Sequence, residues 1–287
     1  MIIDFHTHIG QFGRSAEHVI KHHRFYGGGK SVVLPIEPGD STATDVLDDS
    51  WATEHALAAY DTYGDEIIPF CHVNPLALDA LDQIRRYHAT GKVRGFGEHK
   101  VRLAVDHPIS MDIYRLCGEY GWPVLLHLQY RDYNYNFEDF EAVLKACPET
   151  VFIGHATSWW ANVSADAPSD YRAPDYESYP TGPVVRVGLT DRLLEEYPNI
   201  YGDISAGSGF GALSRDREFG RDFVRRHRSK LLWATDCPCR DGEGNWGEGR
   251  KRECFAAQSL PLLRDYCESE DHFADITYRN AERLLGL

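Results

Sequence analysis

The chain has 287 residues, 43% of them hydrophobic, enough for one large core, and a (β/α)8 barrel takes about 250 residues as a single domain, so length alone requires no second one. A formal net charge of -14 argues against nucleic acid or an anionic lipid surface as the main partner, since both are negative, and points to a small-molecule substrate. No apolar run approaches the roughly 20 residues needed to span a bilayer, and the start, Met1-Ile2-Ile3-Asp4-Phe5-His6, has neither a basic stretch nor a cleavage site. The expectation is a cytoplasmic protein with no membrane or nucleic-acid partner, with a homo-oligomer left open.

Short apolar, β-branched runs alternate with helical segments, the pattern of parallel strands joined by crossover helices. Strands are predicted at residues 2–6, 31–36, 67–73, 93–98, 123–128, 151–155, 200–204 and 230–235. Helices are predicted at 44–63, 78–88, 110–120, 137–146, 187–196, 214–227 and 254–267, with a last one ending near Leu285. Punctuation supports the set: Ser110 opens one helix and Gly121 follows its end. Eight strands with eight helices close a barrel, so the fold class predicted is α/β, a (β/α)8 TIM barrel in one domain over 1–287. The longest irregular stretch, 156–183, is rich in Trp, Tyr, Pro, Ser and Asp, and loops of that length are commonly functional.

Seven cysteines, at 71, 117, 147, 237, 239, 254 and 267, form no regular framework, and reduced thiols are expected. Cys237-Pro238-Cys239 has the residue types for metal or redox chemistry but no second matching pair in the sequence, so no role is assigned to it.

The chemistry lies at strand ends. His6-Thr7-His8 closes the first strand, and residues two apart on a strand face the same side, so both imidazoles can address one point. His127, His155 and Asp236 end the fifth, sixth and eighth predicted strands. In a parallel barrel these C-terminal ends converge on the mouth, where active sites lie. Neutral imidazoles with a carboxylate suit a divalent transition metal, zinc first, with Mn, Fe or Co as alternatives. An open coordination position lowers the pKa of bound water from about 15.7 toward about 7, which makes water a usable nucleophile.

These residues carry a resemblance. Asp4-Phe5-His6-Thr7-His8, the strand-end His127 and His155, Thr235-Asp236-Cys237-Pro238 and the closing Tyr278-Arg279-Asn280-Ala281-Glu282-Arg283-Leu284-Leu285-Gly286-Leu287 look like the amidohydrolase superfamily, in its amidohydrolase-related branch, across nearly the whole chain. The resemblance implies that His6, His8 and Asp236 hold the more buried metal, and that His127 and His155 bind a second metal or contact substrate. It also implies that Asp236 is both ligand and general base. Many relatives carry a metal-bridging carboxylated lysine at the fourth strand, whereas Gly95-Phe96-Gly97-Glu98-His99-Lys100 offers Glu98 first. Glu98 is taken as the bridging carboxylate, with Lys100, two residues on, as a rival bridge or a substrate-binding cation. One or two ions are compatible with this set.

Gln129, Arg131, Asp203 and Arg240 follow strand ends and are expected on the substrate side, the two arginines suiting a substrate carboxylate or phosphate. Trp159, Trp160, Tyr171, Tyr176, Tyr179 and Trp246 are read as a lid or as a subunit contact. His18, His22, His23 and Arg24, in what reads as the first loop, stay unassigned. The function expected is metal-dependent hydrolysis of an amide, lactone or other ester of a small carboxylated molecule. Its rivals are non-oxidative decarboxylation of an aromatic or enol-type acid, TatD-like nuclease or phosphoesterase activity, and a catalytically silent barrel.

Overall fold

The computed structural model describes residues 1–35, 52–167 and 177–287. The apolar runs form eight parallel strands in chain order: β1 (Ile3–Thr7), β2 (Lys30–Val33), β3 (Ile67–Pro69), β4 (Phe96–His99), β5 (Val124–His127), β6 (Phe152–His155), β7 (Ile200–Ile204) and β8 (Leu231–Trp233). Regular ladders join β1 to β3 and β4 to β8. Cys71 bridges to Phe96 in parallel across the first gap.

The second gap, from β8 back to β1, is closed partly by a side chain. The Asp236 amide donates to the His6 carbonyl at 2.8 Å. Asp4 accepts from the Thr235 amide at 2.9 Å and from its hydroxyl at 2.6 Å. Burial pushes the Asp4 carboxyl up to about 6, against these hydrogen bonds and the Arg14 charge. The fold is a TIM barrel of the α/β class.

Around the strands lie α1 (Ala16–Phe25), α2 (Thr53–Tyr63), α3 (Ala80–Ala89), α4 (Pro108–Glu119), α5 (Phe140–Ala146), α6 (Ala156–Ala161), α7 (Leu189–Glu196), α8 (Ala206–Ser214), α9 (Arg217–Arg226), α10 (Phe255–Tyr266), α11 (Glu270–Ala274) and α12 (Asn280–Leu285). A hairpin of β9 (Asn245–Gly247) and β10 (Arg250–Lys251) precedes α10. The segment read as a first loop is largely helix α1, opened by Ser15, whose side chain caps the His18 amide. The helix expected at 214–227 is α9, and a further helix, α8, precedes it directly after β7. Helix α6 begins directly after His155, inside the stretch read as irregular. Ile36, residues 44–51 and the loop tyrosines Tyr171 and Tyr176 lie outside the described residues. Among the described residues no helix is long and apolar enough to cross a membrane.

Alternation along the strands places the site. Ile3, Phe5, Val32, Leu34, Ile68, Phe70, Leu125, Ile153, Leu232 and Ala234 fill the barrel. Val124, Leu126, Phe152, Ile200, Leu231 and Trp233 belong to a larger cluster with the surrounding helices. The larger of these buried side chains, at roughly 1.5–3 kcal/mol each, hold the strand ends in place. On β5, Leu125 faces in and Leu126 out, so His127 faces in again.

Strand β1 departs from this parity: Asp4 pairs with Ser31 but Thr7 with Val33, three residues against two. That bulge lets Ile3 and Phe5 fill the barrel while His6 and His8, of opposite parity, also turn to its axis. A matching shift in β4, between Phe96 and His99, sets Glu98 on the same side.

Candidate metal centre

Six side chains expected at strand ends come together at the barrel mouth. Nε2 of His6 and Nε2 of His8 lie 3.0 Å apart. Oε2 of Glu98 is 3.7 Å from the first and 3.3 Å from the second. Oδ1 of Asp236 is 3.7 and 3.4 Å from the same two nitrogens. These separations match the edge of a tetrahedron with metal bonds of about 2.0–2.2 Å, the range for His and carboxylate ligands of zinc.

The other oxygens of the two carboxylates face a second group. Oε1 of Glu98 is 2.5 Å from Nδ1 of His127 and 3.7 Å from Nε2 of His155. Oδ2 of Asp236 is 3.8 Å from Nε2 of His155. Glu98 thus stands between the two groups.

Outer partners fix which nitrogen of each ring is free. The Nδ1–H of His8 donates to the Leu34 carbonyl at 2.7 Å, and that of His6 to Oδ2 of Asp203 at 2.6 Å, leaving both Nε2 lone pairs inward. Nδ1 of His155 lies 2.9 Å from the Ser205 hydroxyl and 3.4 Å from Oδ2 of Asp203. Burial, with His6 beside it, pushes His155 down to about 4, so it is neutral with Nε2 available. His127 is oriented the other way round: Nε2 meets Oε1 of Gln129 at 3.0 Å, and the Gln129 amide nitrogen donates to Asp132 at 3.0 Å. Its Nδ1 is therefore the atom turned to Glu98.

The charge balance of the cluster calls for a cation. Glu98, Asp203 and Asp236 converge on buried imidazoles, and among the described residues no Lys or Arg pairs with any of the three. Burial works against charge on His6, yet Asp236 and Asp203 overcome it and raise His6 well above its ordinary value. Burial likewise opposes ionisation of Glu98, and His127, His6 and His8 hold it well below the usual carboxylate range. A divalent metal would supply the positive charge that this cluster calls for, so the donor set fits such an ion. The Asp236 side chain, 21% exposed against 3% for Glu98, is the carboxylate open to the mouth.

Several expected positions turn out differently. Asp203, expected to meet substrate, is fully buried behind His6 and acts on the imidazole instead. Gln129 orients His127. Lys100 is not among the ligand atoms; its Nζ lies 5.3 Å from the centre of the Tyr133 ring, which packs 5.5 Å from the His127 ring. Arg102, not singled out from the sequence, lies 5.7 Å from the same ring. Arg240 is drawn to the Phe12 carbonyl and packs against Gly13 and Gly247, bracing the rim. Arg131 is exposed on the turn after β5 with a φ of 71°.

The lid reading fails for the tryptophans. Trp159 is buried against Gly154, where a Cβ would come within 2.3 Å of its ring, and Trp160 donates to the Asp203 carbonyl at 2.9 Å. Trp246 packs on Phe255 and Arg252. Tyr179 remains exposed at 58%, and the charges of Asp236 and Lys100 both reach its hydroxyl. Beneath the site, His72 and His99 form a buried pair 3.1 Å apart. No periodicity or motif distinguishes that pair in the sequence.

Solved structures of this architecture include a probable 2-pyrone-4,6-dicarboxylic acid hydrolase from Acinetobacter baumannii with citric acid bound, 13% identical, TM-score 0.60, covering 100% of this chain and 99% of that one. A 2,6-dihydroxybenzoate decarboxylase from Rhizobium is 14% identical, TM-score 0.58, with coverage of 99% and 98%. A dihydroxybenzoic acid decarboxylase from Polaromonas with bound manganese and the inhibitor 2-nitroresorcinol is 12% identical, TM-score 0.59, with coverage of 100% and 97%. No curated protein matches the chain. The family model described as Amidohydrolase matches residues 3–287. The chain therefore belongs to the amidohydrolase family and is an enzyme of that metal-dependent kind.

Proposed function

We propose that the protein hydrolyses an ester, lactone or amide bond in a small carboxylate-bearing molecule. The observation that carries this reading is Glu98, whose two oxygens face two separate donor groups, the arrangement suited to a two-metal site. His6, His8, Glu98 and Asp236 would hold one ion, zinc by donor chemistry and spacing; His127, His155 and the second oxygen of Glu98 would hold another. A cation there supplies Lewis-acid polarisation and makes water acidic enough to attack at neutral pH.

The protein's own groups do the rest. Asp236, ionised and open to the mouth, takes a proton from the attacking water and returns it to the leaving group. Burial opposes its charge, but His6, His8 and His155 hold it well below the usual carboxylate range, so it is a base at neutral pH. His155, neutral and pinned by Ser205, presents Nε2 toward the reacting centre. Lys100 and Arg102, 5.3 and 5.7 Å from the centre of the Tyr133 ring, give a substrate carboxylate a cationic seat next to His127.

A second reading, metal-dependent decarboxylation, is supported by the two decarboxylases that share the fold. One experiment separates the two. Metal-loaded protein is given 2-pyrone-4,6-dicarboxylic acid and 2,6-dihydroxybenzoic acid, with ring opening and carbon dioxide release followed separately, alongside metal content of wild type and Glu98→Ala. Ring opening by protein whose metal content falls by about one ion in the variant supports hydrolysis. Carbon dioxide release by protein whose metal content the variant leaves unchanged replaces it with the decarboxylase.

A further inference from the structure

Behind the β8–β1 seam, on the side of Asp4 away from the barrel axis, lies a second group of metal-ligating side chains. Cys237 and Cys239 follow β8, Cys254 sits at the N-cap of α10, and His22 comes from α1. All four are buried. Ligand atoms of His22, Cys239 and Cys254 lie within 4.8 Å of one another. Nε2 of His22 is 3.1 Å from Sγ of Cys254, and Sγ of Cys237 is 3.8 Å from that same sulfur. The partners that Cys237-Pro238-Cys239 lacks in sequence are brought to it by the fold.

An independent observation points the same way. Arg14 is only 1% exposed, and among the described residues none of its three guanidinium nitrogens has a hydrogen-bond partner. The groups whose charge reaches it are Cys237, Asp4, Cys239 and Cys254. A buried guanidinium facing neutral thiols is costly, whereas one facing thiolates is compensated. Three thiolates, a neutral imidazole and a divalent cation leave a net charge of about -1, which Arg14 offsets. Donors to sulfur are present as well: the Gly244 amide reaches Sγ of Cys239 at 3.2 Å, and Cys254 lies at a helix N-terminus, where a thiolate is favoured.

We propose that Cys237, Cys239, Cys254 and His22 form a closed, structural zinc site, separate from the barrel-mouth centre. Three sulfurs and one imidazole nitrogen are a complete tetrahedral set for zinc, with no open position for substrate. The site would tie α1 and α10 to the chain leaving β8. Because Cys237 follows Asp236 directly, it would also anchor the backbone that presents the Asp236 carboxylate.

The test uses the whole protein with cobalt as a spectroscopic probe, together with His6→Ala/His8→Ala/His127→Ala/His155→Ala, which removes every imidazole ligand at the mouth, and Cys239→Ser/Cys254→Ser. The expected result is a thiolate-to-cobalt charge-transfer band in wild type that survives the histidine changes and disappears with the cysteine changes. If the cysteine variant does not fold, X-ray absorption of the zinc-loaded quadruple histidine variant decides. Sulfur neighbours at about 2.3 Å in a three-to-one ratio with nitrogen at about 2.0–2.1 Å support the site. A zinc shell of nitrogen and oxygen alone overturns it. So does cobalt uptake without a thiolate band, or a disulfide from Cys254 to Cys237 or Cys239 in freshly purified protein. None of these readouts depends on turnover, so failure of the hydrolase reading leaves this test intact.

Discussion

Oδ2 of Asp203 accepts a hydrogen bond from Nδ1 of His6 at 2.6 Å, with both side chains fully buried. The contact holds the His6 ring with Nε2 turned to the other ligands, and Asp203 also lies near Nδ1 of His155. Asp203→Ala should therefore weaken metal binding or turnover about 10–100-fold, the usual cost of losing such a partner. Chelator competition and kcat/KM on the same preparation measure it. Unchanged metal affinity and turnover would reduce Asp203 to a space-filling role.

Asp236→Asn keeps the shape of the carboxylate but removes its capacity to accept a proton. Turnover should fall about 10²–10⁴-fold, the range associated with general acid–base groups. Substrate affinity, set on the Lys100 side of the mouth, should change far less. Pre-steady-state binding together with kcat measures the two separately, and a loss confined to binding would contradict the assigned role.

Lys100→Ala should raise KM about tenfold or more with little change in kcat, since a charge-assisted hydrogen bond is worth about 1.5–3 kcal/mol and about 1.4 kcal/mol is tenfold. The same change should not alter metal content, because Nζ of Lys100 stands over Tyr133 and not among the ligand atoms. Metal lost on substitution would revive the lysine as a bridging group.

His72 gives a pH dependence with a definite sign. Burial pushes its imidazole from 6.5 down to about 3, so the folded protein keeps it neutral while the unfolded chain takes up a proton below pH 6.5. The stability tied to neutral His72 is complete above pH 6.5, declines as pH falls below that value, and is fully lost only below about pH 3. Urea midpoints at pH 7.5 and about pH 5 should differ more for wild type than for His72→Asn. Equal differences would show that other groups control the acid limb.

Much of this protein is legible in its sequence because period and parity are local properties. The order of the strands, and the positions of His6, His8, His127, His155 and Asp236 at their C-terminal ends, follow from alternation along each run and from the parallel barrel that such runs imply. Glu98 is legible through the family resemblance, as the carboxylate that stands where relatives carry a lysine at the end of the fourth strand, while the shift in β4 that turns it to the axis is not.

What depends on the closed barrel is everything set by a neighbour distant in the chain. The bulge in β1 is defined only against β2, and the burial of Asp203 only against His6, 197 positions away. Trp159 reads as a lid residue until Gly154 and Gly202 open the space that buries it. Cys237 and Cys239 look incomplete until α1 delivers His22 and α10 delivers Cys254. A hydrophobic pattern reports which face of an element is buried; the partner it is buried against is chosen by packing the elements together, and that choice decides the chemistry of a polar group.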